Sequence, residues 1–326
     1  MSAAVHGDEG LATALGDLLG PGHPVSAAAV VSPRGMAVAS RGTDLTADFE
    51  IGSISKGVTG LLYADALTRG EISPDATLGE LLPLGGVPAA RVTLRSLSMH
   101  RSGLPRLPKS ARPWRRTIAL WRHGTNPYGE GLEQLLAQAR DASLGKPRPR
   151  YSNFGFELLG LALAHAAAMP YPELVHRRVT SPLKLDCFYA PGTVDLLRPG
   201  ALSGRSRLGR PREPWTGQAL GPAGGIRASI TSMAHLTAAI LNGRAPGITA
   251  LDPIAPFGAG AHIGAAWITV QAKGRPITWH NGGTGGFRSW LGLDRGTGTG
   301  VVVLSATAAP VDHHGFALLA MHSGNC

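Results

Sequence analysis

The sequence predicts an α+β fold. An antiparallel sheet built from both ends of the chain is flanked by helices as an α/β sandwich, and a mostly helical domain is inserted between its halves. Three observations predict it. Strand-like runs occur at 25–42 and return after 261. Between about 75 and 260 the apolar periodicity is mostly helical. The 326 residues, 43% hydrophobic and 16% charged, are enough to bury a large core without staples. The expected layout is a discontinuous sheet domain, 1–74 with 261–326, a helical domain, 75–260, and an active site between them.

The elements follow in order. Residues 1–20 read as an amphipathic helix. They have no basic start, and Asp8, Glu9 and Asp17 interrupt the apolar run, unlike a signal peptide. Residues 25–42 form two apolar runs around Ser32-Pro33-Arg34-Gly35, a hairpin pattern. A strand end at 49–52 runs into a helix marked by Ile54, Val58, Leu61 and Leu62 and closed at Arg69-Gly70. Residues 131–142, 156–168 and 231–243 are the clearest later helices. Residues 265–271, 276–281, 287–293 and 300–306 read as strands, and 316–322 as a last helix with Asp312-His313-His314 as its cap. The loops at 101–127 and 191–222 are long enough to suggest function.

Composition limits the function classes. The two cysteines, Cys187 and Cys326, make neither a disulfide framework nor a metal site, which fits a reducing compartment. The longest apolar stretch, 158–169, is too short to span a bilayer and contains His165. A soluble, cytoplasmic protein without membrane contact is therefore expected. No G-x-x-x-x-G-K-[ST], H-E-x-x-H or C-x-x-C occurs, so no cofactor or metal is expected, and nothing calls for nucleic acid. The net charge is +10. Part of it stands in two acid-free clusters: Arg101, Arg106, Lys109, Arg112, Arg115, Arg116 and Arg122, then Arg198, Arg205, Arg207, Arg210 and Arg212. They read either as a solvated basic face or as a device that steers an anionic partner.

The chemistry begins at Ser53. A helix N-terminus favours acids, yet the first turn here holds Lys56, three residues after Ser53. A lysine at that positive end, buried beside a hydroxyl, has a depressed pKa and can serve as base to the serine. Ser-x-x-Lys recurs at Ser143 and Ser181, but neither starts a long apolar helix. Tyr151-Ser152-Asn153, on a loop entering a helix, offers a phenol for proton transfer and an amide for a substrate carbonyl. A strand then ends at His280-Asn281 and meets Gly282, Gly283, Thr284, Gly285 and Gly286, a density that suggests close approach of the backbone to a ligand.

The ordered set Ser53-x-x-Lys56, Tyr151-x-Asn153 and His280-x-Gly282 resembles the serine β-lactamase and penicillin-binding protein family, most of all its branch of class C β-lactamases, DD-peptidases and esterases. Residues 94–105, 221–236 and 280–287 are similar too, so the resemblance covers nearly the whole chain. It implies Ser53 as the acylated nucleophile, Lys56 and Tyr151 as shared acid and base, and Asn153 steadying the acyl side chain. It further implies an oxyanion hole from the amides of Ser53 and Gly283, with His280 and Asn281 along the substrate strand. Many β-lactamases have Lys where this chain has His280, and a mostly neutral imidazole holds a carboxylate weakly.

The expected function is a serine hydrolase acting on a small ester or amide. Three alternatives stand beside it. One is a cytosolic acyltransferase taking a thioester or ester from an anionic donor or carrier protein. The others are a β-lactamase and a non-catalytic ligand-binding protein on the same fold. Ser53 is expected to be the only one of the three Ser-x-x-Lys serines that reacts with a fluorophosphonate probe. Ser53→Ala should abolish labelling while Ser143→Ala and Ser181→Ala label normally; a folded Ser53→Ala protein that still labels refutes the assignment.

Overall fold

The computed structural model describes residues 4–107, 124–129 and 131–324. Lys109, Arg112, Arg115, Arg116 and Arg122 of the first basic cluster lie outside the described residues, as does Cys326.

Both ends of the chain do share one sheet. The hairpin of β2 (Ser26–Ser32) and β3 (Gly35–Arg41) turns where Ser-Pro-Arg-Gly predicts it. Strand β12 (Thr299–Ser305) pairs antiparallel with β2 along its length, Val302 opposite Ala29, which joins the C-terminal strands to the N-terminal hairpin. Beyond β12 lie β11 (Arg288–Asp294), β10 (Arg275–Gly283) and β9 (Ile268–Ala272). Strands β7 (Ala255–Gly258) and β8 (Ala261–Ile263) finish that edge, and β1 (Val5–Gly7) finishes the other. A separate three-stranded sheet joins β4 (Phe49–Glu50), β6 (Arg227–Ala228) and β5 (Phe188–Tyr189).

The sheet is covered on both faces because its central strands bury both sets of side chains. Ala28 and Val30 of β2 belong to one apolar cluster, Ala27 and Ala29 to the other. The first cluster is closed by α1 (Glu9–Leu19), capped by Asp8 on the Leu11 amide, and by α6 (Asp312–Ser323). The second and larger cluster contains α2 (Ile54–Thr68), α4 (Asn153–Ala166) and α5 (Ile230–Leu241), with α3 (Leu132–Arg140) at its margin. Among the described residues no single helix is long and apolar enough to cross a membrane.

The structure departs from the sequence expectations at the edges. Strand β7 lies within 75–260, the span expected to be helical, and α5 from that span packs on β2 and β12. The Gly- and Ala-rich run 255–263 makes two short, half-exposed strands with a bulge near Pro256, too weak in pattern to read as strands. Asp312 is not the cap of the last helix. Val311 takes that position, and Asp312 falls in the first turn, where its charge suits the dipole. Ser181 ends a helical turn rather than starting one, and Ser143 lies in an irregular segment; both are exposed.

One buried ionic group ties the strand before α2 to the segment covering it. Arg227 is fully enclosed; its Nε donates to Asp48 Oδ2 at 2.9 Å and its Nη1 to Glu50 Oε1 at 3.0 Å. Burial pushes the Glu50 carboxyl up, and Arg227 pulls it back toward the charged form. Glu50 Oε1 also accepts the Trp215 amide at 2.8 Å, so strand β6 and the loop carrying Trp215 hang on one carboxylate. Arg227→Met would strand two buried acids. It is expected to destabilise the protein by about 3–5 kcal/mol in denaturant titration; a loss below about 1 kcal/mol, the value of an exposed pair, contradicts this account.

Candidate active site

Helix α2 starts without the side-chain cap its Ser suggests. The first-turn amides are taken by short backbone bonds: Ile54 N–H to Ile51 O, Ser55 N–H to Gly52 O and Lys56 N–H to Ser53 O. The Ser53 hydroxyl caps no amide and is left for Lys56, whose Nζ stands 3.1 Å from Ser53 Oγ. The Ser53 amide makes no backbone hydrogen bond among the described residues, so it remains able to donate.

Lys56 has no exposed surface. Nζ donates to the Ala223 carbonyl and lies 4.8 Å from the centre of the Tyr151 ring. Burial brings its pKa down to about 7; Glu157, one turn along α4, pushes it back up, and Arg106 lowers it further. Desolvation, rather than the helix end alone, is thus the main cause. Tyr151 shares a side-chain hydrogen bond with Ser53, and burial pushes its phenol up to about 12, so it is a neutral proton donor near pH 7. Ser53, Lys56 and Tyr151 therefore converge, although Tyr151 is 98 positions from Ser53.

Strand β10 closes the other side. Gly52 has φ +51°, and a Cβ built on it would come within 2.5 Å of the Gly283 nitrogen. A Cβ on Gly282 would meet the Ile51 carbonyl oxygen at 2.0 Å. These glycines let two backbones touch, so that Gly283 and Ser53 line the same cavity. The sequence reading assigned the Gly-rich run to contact with a ligand; at Gly282 the approaching backbone is the protein's own.

Ser53, Tyr151, Asn153, Asn281, Gly282 and Gly283 line a cavity of about 490 Å³. His280 does not. Alternation along β10 turns it away from the cavity, where it is buried, and burial together with nearby Lys56 lowers its pKa to about 4. Its Nδ1 is 2.6 Å from the Asn281 carbonyl oxygen, and a carbonyl only accepts, so the ring proton sits on Nδ1. Asn281 faces the cavity and donates to Asp312 Oδ1. Asn153 Nδ2 donates to Tyr128 Oη at 2.6 Å, while its Oδ1 is buried without a partner among the described residues.

Sequence reasoning missed His100, Tyr128, Glu157 and Arg288. Tyr128 and Trp215 meet edge to face, centres 4.9 Å apart, on the cavity wall. Arg288 also lines the cavity; its Nη1 donates to the carbonyls of Thr284 and Phe287, both at 2.8 Å. Only Arg106, through its basic cluster, carried a readable signal.

Ser53, the buried Lys56 and Tyr151 meet beside the end of β10, an arrangement chemically able to support acyl transfer through a serine. A model of the Beta-lactamase family matches residues 12–323, and the chain belongs to that family of serine hydrolases. It is 30% identical over 146 residues to the D-alanyl-D-alanine-carboxypeptidase/endopeptidase AmpH of Escherichia coli (strain K12), covering 43% of this chain and 36% of that protein. The match thus spans about a third of that relative's length. The fold is similar to a class C beta lactamase from Rhodobacter sphaeroides, with TM-score 0.79, 20% identity, and 97% and 99% of the two chains covered. It is also similar to a D-stereospecific amidohydrolase from Streptomyces sp., with TM-score 0.77, 21% identity, and 96% and 97% covered.

Lys56 can take a proton only as the free amine, the form that dominates above its pKa. The rate of Ser53 acylation is therefore expected to rise through about pH 7 and level off above it. Glu157→Gln removes the charge that favours the ammonium, so the midpoint should move to lower pH. Pre-steady-state acylation measured from pH 5 to 9 checks both; a flat profile, or a midpoint that moves up, contradicts the assignment.

Proposed function

We propose that the protein is a serine hydrolase that forms an acyl-enzyme on Ser53 and cleaves a small ester or amide. The observation that carries this reading is the 3.1 Å approach to the Ser53 hydroxyl of a fully buried Lys56, whose pKa burial lowers to about 7. With Lys56 as amine, the bond runs from Ser53 O–H to Nζ. The serine proton passes to Nζ as Oγ bonds to the acyl carbon. The Ser53 and Gly283 amides receive the oxyanion. The proton leaves through the Tyr151 phenol to the departing group, whose bond to the acyl carbon breaks. Water then repeats the sequence on the ester, releasing the acid and free Ser53. Asn153 and the Tyr128–Trp215 wall contact the acyl side chain.

His280 argues for esters over β-lactams. The ring is neutral and enclosed, so it offers a carboxylate no Coulombic hold at that position. A second reading draws on Arg106 and Arg288. Both line the cavity, and neither makes an ion pair with a carboxylate among the described residues. They suit an anionic acyl donor, such as a thioester on a phosphate-bearing carrier, with a small amine or alcohol replacing water at the acyl-enzyme. The intact mass of the protein after mixing with a p-nitrophenyl ester, a thioester and a cephalosporin tests these readings. The ester is expected to give a short-lived adduct on Ser53 and a specificity constant above that of the cephalosporin. A cephalosporin better by tenfold or more makes the protein a β-lactamase, an adduct discharged only by an added amine or alcohol makes it a transferase, and no adduct at all makes it a binder.

A further inference from the structure

The segment 100–106 forms a cradle under Tyr151-Ser152-Asn153, and His100 stands at its start. The His100 carbonyl accepts the Arg150 amide at 2.8 Å, and its Nδ1 accepts the Ser152 amide at 3.1 Å. The two bonds bracket Tyr151. At the far end of the cradle the Arg106 carbonyl takes the Asn153 amide at 3.2 Å, and Pro105 O accepts the Ser152 hydroxyl at 2.7 Å. The imidazole itself packs on the Tyr151 ring, centres 4.5 Å apart and planes tilted by 35°, with Phe156 at 4.7 Å and Phe257 at 6.0 Å.

Three further features show that this histidine is held for a reason other than filling space. Its backbone is left-handed, with φ +57°, a conformation that most side chains resist. It is 2% exposed, yet its Nε2 has no partner among the described residues, which a core filler would avoid. Its protonation state is also fixed. An amide can only donate, so Nδ1 must carry the lone pair and Nε2 the proton. Burial, with Lys56 and His280 as the charged or titratable neighbours, holds the ring neutral. A protonated ring would lose the Ser152 bond.

We propose that His100 is a positioning residue for the Tyr151 phenol: its ring and its two acceptors lock residues 150–152 so that the hydroxyl stays on Ser53. The inference rests on the acyl-enzyme reading above, because only there does the phenol move a proton. A misplacement of about 1 Å at such a group can cost on the order of 100-fold in rate.

His100→Asn and His100→Gly test it, since both residues tolerate the left-handed backbone. Asn keeps an oxygen acceptor near the place of Nδ1; Gly removes acceptor and ring. Each is made alone and with Tyr151→Phe, checked for folding by thermal melting, and assayed on a p-nitrophenyl ester with the pre-steady-state burst recorded. His100→Gly is expected to lower kcat by about 10–100-fold with little change in KM. Asn should recover much of that loss. On the Tyr151→Phe background the same Gly substitution should change kcat by less than about twofold, because the group it positions is gone. Equal losses on both backgrounds, a folded Gly variant at the wild-type kcat, or an Asn variant as slow as Gly would each overturn the inference alone. A folded Ser53→Ala protein that turns the ester over at the wild-type rate overturns the acyl-enzyme reading, and the positioning role with it.

Discussion

The burial of one amine organises this protein. Lys56 is fully enclosed, and the loss of its hydration is the largest cause of its lowered pKa. A buried ammonium without compensation is costly, so such a site either pairs the charge or sheds it. Here both happen in part. Burial lowers the pKa most, Glu157 favours the charged form from α4, Arg106 opposes it, and the balance brings the pKa to about 7. Every element around α2 serves that enclosure. All residues from Ile54 to Ala66 are buried, which requires cover from α4, from the sheet and from the 219–224 segment that supplies the Ala223 carbonyl.

That enclosure depends on backbones that touch. The junction of Gly52 with Gly282 and Gly283 seats the end of β10 against the start of α2. The Arg227–Asp48–Glu50 group fixes the preceding strand to the segment that follows Gly224 and Gly225, and through Glu50 to the loop carrying Trp215. Such a buried ionic group is weak as a source of net stability, but it admits few alternative arrangements. Ser53 thus sits between two rigid joints, one made by the absence of side chains and one by opposite charges.

The electrostatics of the cavity follow from which face of β10 each residue takes. His280 points inward, loses its charge and leaves the cavity wall to Asn281. The cations that do reach the cavity, Arg106 and Arg288, come from other elements and flank the serine without a carboxylate of their own among the described residues. Asp312 lies nearby but accepts from Asn281. The field in the cavity is consequently set by groups that no single motif contains.

The sequence by itself determined the elements and the order of the reactive groups. Apolar runs at 26–41 and 288–305 and the apolar helix behind Ser53 are local patterns, and local patterns are what propensity and spacing record. Ser53 and Lys56 were legible for the same reason, being one helical turn apart. Tyr151, Asn153 and the 280–283 strand became legible through their joint order, with no geometry to show that they meet. Glu157 could not be read, because its action on Lys56 crosses 101 positions and depends on two helices packing. His100 stood in plain view in LSMHRSGLP, yet nothing local says that its ring lies on Tyr151. The facing of His280 away from the cavity was also decided only in three dimensions. Chain position fixes which side chains alternate along a strand, but only the sheet's packing decides which face is dry, and here the dry face sets the charge of both Lys56 and His280.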